Sequence, residues 1–306
     1  MDRIDALLEK TSRTFALAIP LLPQPTRREL GVAYLLFRIA DTLEDANGWS
    51  QQQRVAALDQ YVGLLREPDA AKTRELGERW AGGMPIEHDG YLELLRHTDG
   101  VLRAYRALSV AAQRIVGEHT IRTTRGMAGF VERAEGSVVR LRDVDELRRY
   151  CYTVAGIVGE LSTELFLLER PALEPVAEEL RQRAARFGEA LQLVNILKDA
   201  DFDTTEGRYY LPSNAERATV FALARENLGV AADYTVVLQR AGAPRGVVAF
   251  CALPVRLAYA ALDRVQDAGP GAKIGRERVY AIVAEMNQAL DAGHPAVGTG
   301  IAAQSV

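Results

Sequence analysis

The chain has little cysteine: Cys151 and Cys251 are the only two in 306 residues. Two thiols cannot build a disulfide framework, so a disulfide-stapled scaffold is excluded, and the pair fits a reducing compartment or simple burial. Neither sign of charge is in excess. There are 37 Lys and Arg against 41 Asp and Glu, a formal net charge of −4, which argues against a dedicated nucleic-acid binder. Long apolar runs are missing too. The uncharged stretches at 15–25 and 247–255 fall well short of the roughly 20 residues a membrane-spanning helix needs, and prolines interrupt both. The opening residues Met1-Asp2-Arg3-Ile4-Asp5 are charged, with no apolar stretch behind them, so no targeting segment is expected. Alternating β-branched runs bounded by tight turns are absent as well, which speaks against a β architecture.

What is present is the balance of a folded globular chain, 48% hydrophobic and 25% charged, too apolar for a disordered one. Leu, Ala, Arg and Glu recur at i, i+3, i+4 spacing almost throughout, which predicts an all-α protein. Thr26-Arg27-Arg28-Glu29 behind Pro25 reads as a capping box opening a helix that stops near Asn47-Gly48. Asp143-Val144-Asp145-Glu146 opens a second helix, ending before Glu169-Arg170-Pro171. A third runs from about Val176 to near Gly207, and further helices are expected at 51–66, 91–119, 216–241, 245–266 and 276–291. Residues 67–90, with two prolines and Gly82-Gly83, look like a long connection. No repeat or composition break divides the chain. The expectation is one domain over residues 1–306, a helical bundle around a central cavity, with a disordered tail from about residue 293.

Two acidic clusters carry the chemistry. Asp41, Glu44 and Asp45 stand at i, i+3 and i+4, and Asn195, Asp199 and Asp203 at intervals of four, with Gln192 a turn earlier. Both clusters fall in the last turns of their helices, where the macrodipole disfavours negative charge by about 0.3–1 kcal/mol each. One such cluster reads as solvated surface charge. Two of them, flanked by AYLLFRIA and ALQLVNIL, point instead to a shared site for magnesium, which takes one or two carboxylates and fills its shell with water and phosphate. Arg38, Lys198, Arg13 and Arg208 stand close by in sequence as candidate phosphate contacts. The helix at 144–168 also carries a strip of small residues, Ala155, Gly156, Gly159, Ser162 and Thr163. Each mid-helix glycine costs about 1 kcal/mol relative to alanine, so the strip serves either tight helix packing or room for a long apolar ligand.

These residues resemble the squalene/phytoene synthase family, head-to-head prenyl transferases with the all-α isoprenoid synthase (terpenoid synthase) fold. The match runs from Ser12 to about Ile282: SRTF at 12–15, YLLFRIADTLED at 34–45, YCYTVAGIVGE at 150–160, QLVNILKDADFD at 192–203 and GRYYLP at 207–212. FCALP at 250–254 and the order Asp41-Thr42-Leu43-Glu44-Asp45 look most like the squalene synthase branch. Three positions depart from the pattern: Phe202 replaces a usual Glu, Val255 a Gln, and Gly275 the Arg of a Lys-x-Arg element.

The resemblance implies that Asp41, Glu44, Asp45, Asn195, Asp199 and Asp203 bind magnesium, with manganese as a substitute, and through it two farnesyl diphosphates. Ser12, Arg13, Phe15, Tyr34, Arg38, Gln192, Lys198 and Arg208 fall on the substrate side, and Tyr150 matches the family's catalytic tyrosine. Phe250 would offer an aromatic face to a carbocation, and Lys273 with Arg276 would meet NADPH. The implied reaction forms presqualene diphosphate and then squalene, with hydride from NADPH. Non-reducing dehydrosqualene or phytoene synthases end in proton loss instead. A terpene cyclase, or a non-catalytic subunit binding prenyl lipid or a partner, are the readings outside that chemistry. No nucleic-acid partner is expected, and the location is cytoplasmic with peripheral membrane contact.

Overall fold

In the computed structural model, residues 3–12, 14–46, 48–84, 88–134, 138–213, 215 and 217–298 are described. Among them the only strands are the two-residue pieces Val139–Arg140 and Arg208–Tyr209; the rest of the regular structure is helical, as the spacing predicts. The chain divides into two compact units, residues 1–19 with 24–140 and residues 20–23 with 141–306.

The first unit holds α1 (Arg3–Thr11), α2 (Phe15–Ala18), α3 (Thr26–Glu44), α4 (Gln51–Arg66), α5 (Ala70–Gly83), α6 (Asp89–Arg96), α7 (Thr98–Arg106) and α8 (Val110–Glu132). α3 is its axis, packed by α1, α4, α6, α7 and α8. Leu35, Leu36, Ile39 and Leu43 are fully enclosed, each contributing about 1.5–3 kcal/mol by burial. Tyr61 of α4 donates its hydroxyl to the Leu36 carbonyl at 2.9 Å.

Four expectations need correction in this unit. The Thr26 capping box does not form. Thr26 is already helical behind Pro25, its hydroxyl has no partner, and the Gln24 side chain accepts from the Arg28 N–H instead at 3.3 Å. α3 also stops at Glu44, short of Asn47, which lies outside the described residues. The stretch 67–90 contains α5, whose Asp69 side chain caps the Lys72 N–H at 2.9 Å and whose Thr73, Leu76 and Trp80 face inward. The segment 91–119 is three helices rather than one. His97 ends α6 and starts α7, and the Ser109 hydroxyl caps α8 by accepting from the Ala112 N–H.

The second unit holds α9 (Val144–Cys151), a π-turn (Tyr152–Gly156), α10 (Ile157–Glu169), α11 (Ala177–Thr205), α12 (Arg217–Arg240), α13 (Arg245–Ala268) and α14 (Arg276–Asp291). Asp143 caps α9 as the sequence predicts, accepting from the Glu146 N–H at 2.7 Å. The 29-residue α11 runs through this unit against α10, α12 and α13. The small-residue strip now has one reading. A Cβ on Gly159 would stand 2.0 Å from the Ala184 carbonyl oxygen, and one on Gly188 would stand 1.9 Å from that of Ala155. The strip lets two helix backbones touch.

Two helical spans, Val144–Glu169 and Arg245–Ala268, have the length and composition of a membrane crossing, at mean hydropathy 1.3 and 1.5. Yet 56% and 67% of their most apolar stretches are buried inside the protein, which is the position of core helices. Cys151 and Cys251 are buried. Burial pushes both thiols well above their ordinary pKa, which leaves them poor nucleophiles.

Candidate active site

In the first unit the site grows from one face of α3. Tyr34, Arg38 and Asp41 follow at i, i+4 and i+7, so their side chains stack along the helix. The Tyr34 hydroxyl donates to the Thr11 carbonyl at 2.9 Å, and the Phe15 ring packs on Tyr34 at 5.5 Å. The Ser12 hydroxyl accepts from the Phe15 N–H at 2.9 Å. Phe15, held by Ser12, is thereby packed onto Tyr34, and Arg13 lies outside the described residues.

Arg38 is held by three residues. Its Nε and Nη2 donate to the Tyr34 hydroxyl at 3.3 and 3.1 Å, and Nη1 donates to Asp41. Its guanidinium also lies over the rings of Tyr34 and Tyr91, at 5.5 and 5.4 Å. Burial alone would weaken this cation. The Asp41 carboxylate and the two tyrosines more than offset that, and the pKa lies above its ordinary value. Tyr91, from α6, stacks in turn on His88 at 3.9 Å. Burial raises the Tyr91 pKa, Arg38 lowers it, and the charges of Asp41 and Asp45 push it up again. The Tyr91 hydroxyl therefore feels both carboxylates. Glu44 behaves differently from its neighbours. It is buried at 4% exposure, while Asp41 and Asp45 remain partly accessible.

In the second unit the site gathers at the end of α11. Lys198 Nζ donates to Asn195 at 3.1 Å and pairs with Asp199 at 3.2 Å. After Thr205 the chain reverses at Gly207, whose φ of 73° suits only glycine without strain. The reversal returns Arg208 to Asp203, 3.4 Å away, with both side chains largely enclosed. Burial raises the Asp203 pKa, Arg208 lowers it, and Asp199 raises it again. Two residues later Tyr210 reaches Tyr150. The Tyr150 hydroxyl donates to that of Tyr210 at 2.9 Å, and the rings stack at 4.7 Å with 22° between planes.

The other expected residues are placed as follows. Gln192 is half-buried on α11, a turn before Asn195. Phe250 is buried on α13, edge-on to Phe166 of α10 at 6.1 Å. Lys273 and Arg276 are exposed around the start of α14. The loop before them is tied to α11 where the Gly271 N–H donates to the Lys198 carbonyl at 2.7 Å. Phe202, which stands in place of a carboxylate, projects into solvent at 63% exposure. Tyr91 and Tyr210 are the residues that sequence reasoning missed. Tyr210 lies inside GRYYLP but has no chemical signature of its own, and Tyr91 lies in no motif.

Among the described residues no group of three or more His, Cys, Asp or Glu side chains is drawn together as a metal cage. Magnesium keeps several waters and uses one or two carboxylates with substrate phosphate. Asp41 and Asp45 on one helix, and Asn195, Asp199 and Asp203 on another, are all hard oxygen donors of the required kind.

The family described as squalene/phytoene synthase matches residues 8–229. Squalene synthase of Mycosarcoma maydis is 31% identical over 67% of this chain and 34% of its own length. Squalene synthase ERG9 of Candida albicans is 29% identical over 87% of this chain and 62% of its own length. The chain thus spans between about a third and three fifths of the curated relatives it matches. A solved complex of TcSQS with the ligand E5700 is 25% identical with a TM-score of 0.71, covering 92% of this chain and 84% of that one. A dehydrosqualene synthase complex, at 20% identity and a TM-score of 0.59 over 94% and 95% of the two chains, shares the fold.

Proposed function

The chain belongs to the squalene/phytoene synthase family, and from that membership we propose that it joins two farnesyl diphosphates head to head, through presqualene diphosphate, to squalene. Magnesium, with manganese as a substitute, supplies the divalent charge that neutralises diphosphate oxygens as they leave. One observation carries the reading. Three carboxylates toward the ends of two helices are matched to cations, Asp41 with Arg38 on α3, and Asp199 with Lys198 and Asp203 with Arg208 at α11. Such sets bind metal through the acids and diphosphate through the bases.

Asp41 and Asp45 would hold one metal–diphosphate group, and Asn195, Asp199 and Asp203 the other. Arg38, pinned by Tyr34 and Tyr91, offers its guanidinium edge to phosphate oxygens without searching rotamers. Lys198 and Arg208, now paired with Asp199 and Asp203, would be the cations offered to phosphate oxygens once those acids held the metal. The Tyr150 oxygen stands beside the ionising allylic chain, and Phe250 offers a ring face to the cation. Lys273 and Arg276, exposed around the start of α14, would hold the phosphates of NADPH, which would supply the hydride. An oily product fits cytoplasmic protein in peripheral contact with a membrane.

A second reading, a non-reducing dehydrosqualene synthase, is favoured by Gly275. It begins α14 in an extended conformation, φ −69° and ψ 156°, where the squalene branch has the Arg of its Lys-x-Arg element. Incubation with magnesium and farnesyl diphosphate, with and without NADPH, separates the two by mass spectrometry of the hydrocarbons. Squalene made only with NADPH supports the first reading. A thirty-carbon polyene indifferent to NADPH replaces it with the second. A fifteen-carbon cyclic product would mean a terpene cyclase, and failure to release diphosphate from any prenyl substrate would remove the enzymatic readings altogether.

A further inference from the structure

Tyr150 and Tyr210 are both buried, at 4% and 8% exposure, and their contact is polar as well as stacked. A phenol has one proton to give. Here Tyr150 gives its proton to Tyr210 across 2.9 Å, in surroundings dry enough to strengthen the bond. What the Tyr150 oxygen then turns to any other group is its lone pairs.

Tyr210 is itself firmly placed. It follows the Gly207 reversal, and the neighbouring Tyr209 carbonyl accepts from the Leu141 N–H at 3.1 Å. The same short turn delivers Arg208 to Asp203 and Tyr210 to Tyr150. The acid cluster and the tyrosine are therefore aligned by one piece of backbone.

We infer that Tyr210 is a positioning residue for Tyr150: by accepting its hydroxyl proton, it fixes the phenol rotor so that the oxygen lone pairs face the allylic substrate. A phenol so held meets developing positive charge with its negative end. A freely turning hydroxyl would present its proton part of the time and lose that stabilisation. The inference rests on the reading of Tyr150 as the catalytic tyrosine.

Tyr210→Phe keeps the ring and the stack and removes only the acceptor. It is expected to lower kcat about tenfold, on the scale of one hydrogen bond realised in the transition state. KM for farnesyl diphosphate stays as in the wild type, and the thermal midpoint falls by only the few degrees that losing one buried hydrogen bond costs. The deciding comparison is a double-mutant cycle. In a Tyr150→Phe background, followed by long incubations and product mass spectrometry, Tyr210→Phe costs nothing further. An equal loss in both backgrounds means a role independent of the Tyr150 hydroxyl and overturns the inference.

A readout without turnover accompanies the cycle. In protein carrying 13Cζ-tyrosine, the Tyr150 resonance is assigned by its disappearance in Tyr150→Phe, and it shifts in Tyr210→Phe. An unmoved resonance refutes the pairing. Wild-type protein inert toward every prenyl diphosphate overturns the functional reading and the role of Tyr150 with it. Additive losses in an active protein overturn this inference alone.

Discussion

The Arg38 guanidinium lies over the Tyr91 ring, 5.4 Å from its centroid, while the same guanidinium donates to Asp41. Tyr91 comes from α6, outside the motifs shared with the family. With Tyr34 it forms an aromatic bracket around the cation, whose Cζ also lies 5.5 Å from the Tyr34 ring centroid. The bracket holds the planar fork toward the acid cluster before any ligand arrives.

Removing the ring should therefore loosen diphosphate binding more than chemistry. Tyr91→Leu is expected to raise KM for farnesyl diphosphate about threefold to tenfold, the range of a partly desolvated cation–π contact. Tyr91→Phe, which keeps the ring, should leave KM within about twofold. Steady-state kinetics on the two variants checks this. A larger effect in Tyr91→Phe than in Tyr91→Leu would assign the work to the hydroxyl.

The acids themselves should be indispensable. Asp41→Asn and Asp199→Asn remove charge without volume, and each is expected to lower turnover at least about a hundredfold, as loss of a central electrostatic contact does. The far-UV circular dichroism should be unchanged, since both side chains are partly exposed and neither supports the core. Full activity in either variant would end the metal assignment for its helix.

Close helix contact in the second unit makes a stability prediction. Gly159→Ala and Gly188→Ala place a Cβ at 2.0 and 1.9 Å from backbone oxygens of the facing helix. Overpacking of this kind costs about 1–3 kcal/mol, so the melting midpoint should fall by roughly 2–10 °C. Gly229 on α12 is the control, because nothing lies within 4 Å of its would-be Cβ. Gly229→Ala should gain about 0.5–1 kcal/mol from helix propensity. Scanning calorimetry of the three variants decides it.

Glu189 of α11 gives a pH signature. Its side chain is 7% exposed, and its Oε2 has no hydrogen-bond partner. Burial raises its pKa, against the pull of Arg148 and Arg186. With the folded pKa above the unfolded one, the unfolded chain ionises first as pH rises, so folding loses stability through that window. The loss is absent below about pH 4, where the unfolded carboxyl is also protonated. Glu189→Gln should therefore melt higher than wild type at neutral pH and match it below about pH 4. A gain that is the same at every pH would contradict the burial argument.

The residues show why some of this was legible in the sequence and some was not. Asp143, the acid spacing on α11 and the helical period at 276–291 act within a few residues, and the structure keeps them. The 67–90 segment misled because Pro68 and Gly82-Gly83 bracket a helix rather than interrupt one. Thr26 and Glu29 have capping-box spacing, but Pro25 takes the cap position and moves Thr26 inside. The Tyr91–Arg38 and Tyr210–Tyr150 contacts join distant parts of the chain, and no local pattern encodes them. Glu44 shares the Asp41 and Asp45 spacing, yet packing buries it. The composition shows no break near residue 140, where the compact units divide, because both sides are built from the same amphipathic helices.

The proposed reaction joins two prenyl diphosphates by ionising both. Its most direct measurement is the ratio of diphosphate released to hydrocarbon formed, on purified protein with farnesyl diphosphate, magnesium and NADPH. Two diphosphates per thirty-carbon molecule, with neither product formed in excess EDTA, is the predicted result. One diphosphate per fifteen-carbon product, or release that persists in EDTA, would contradict it.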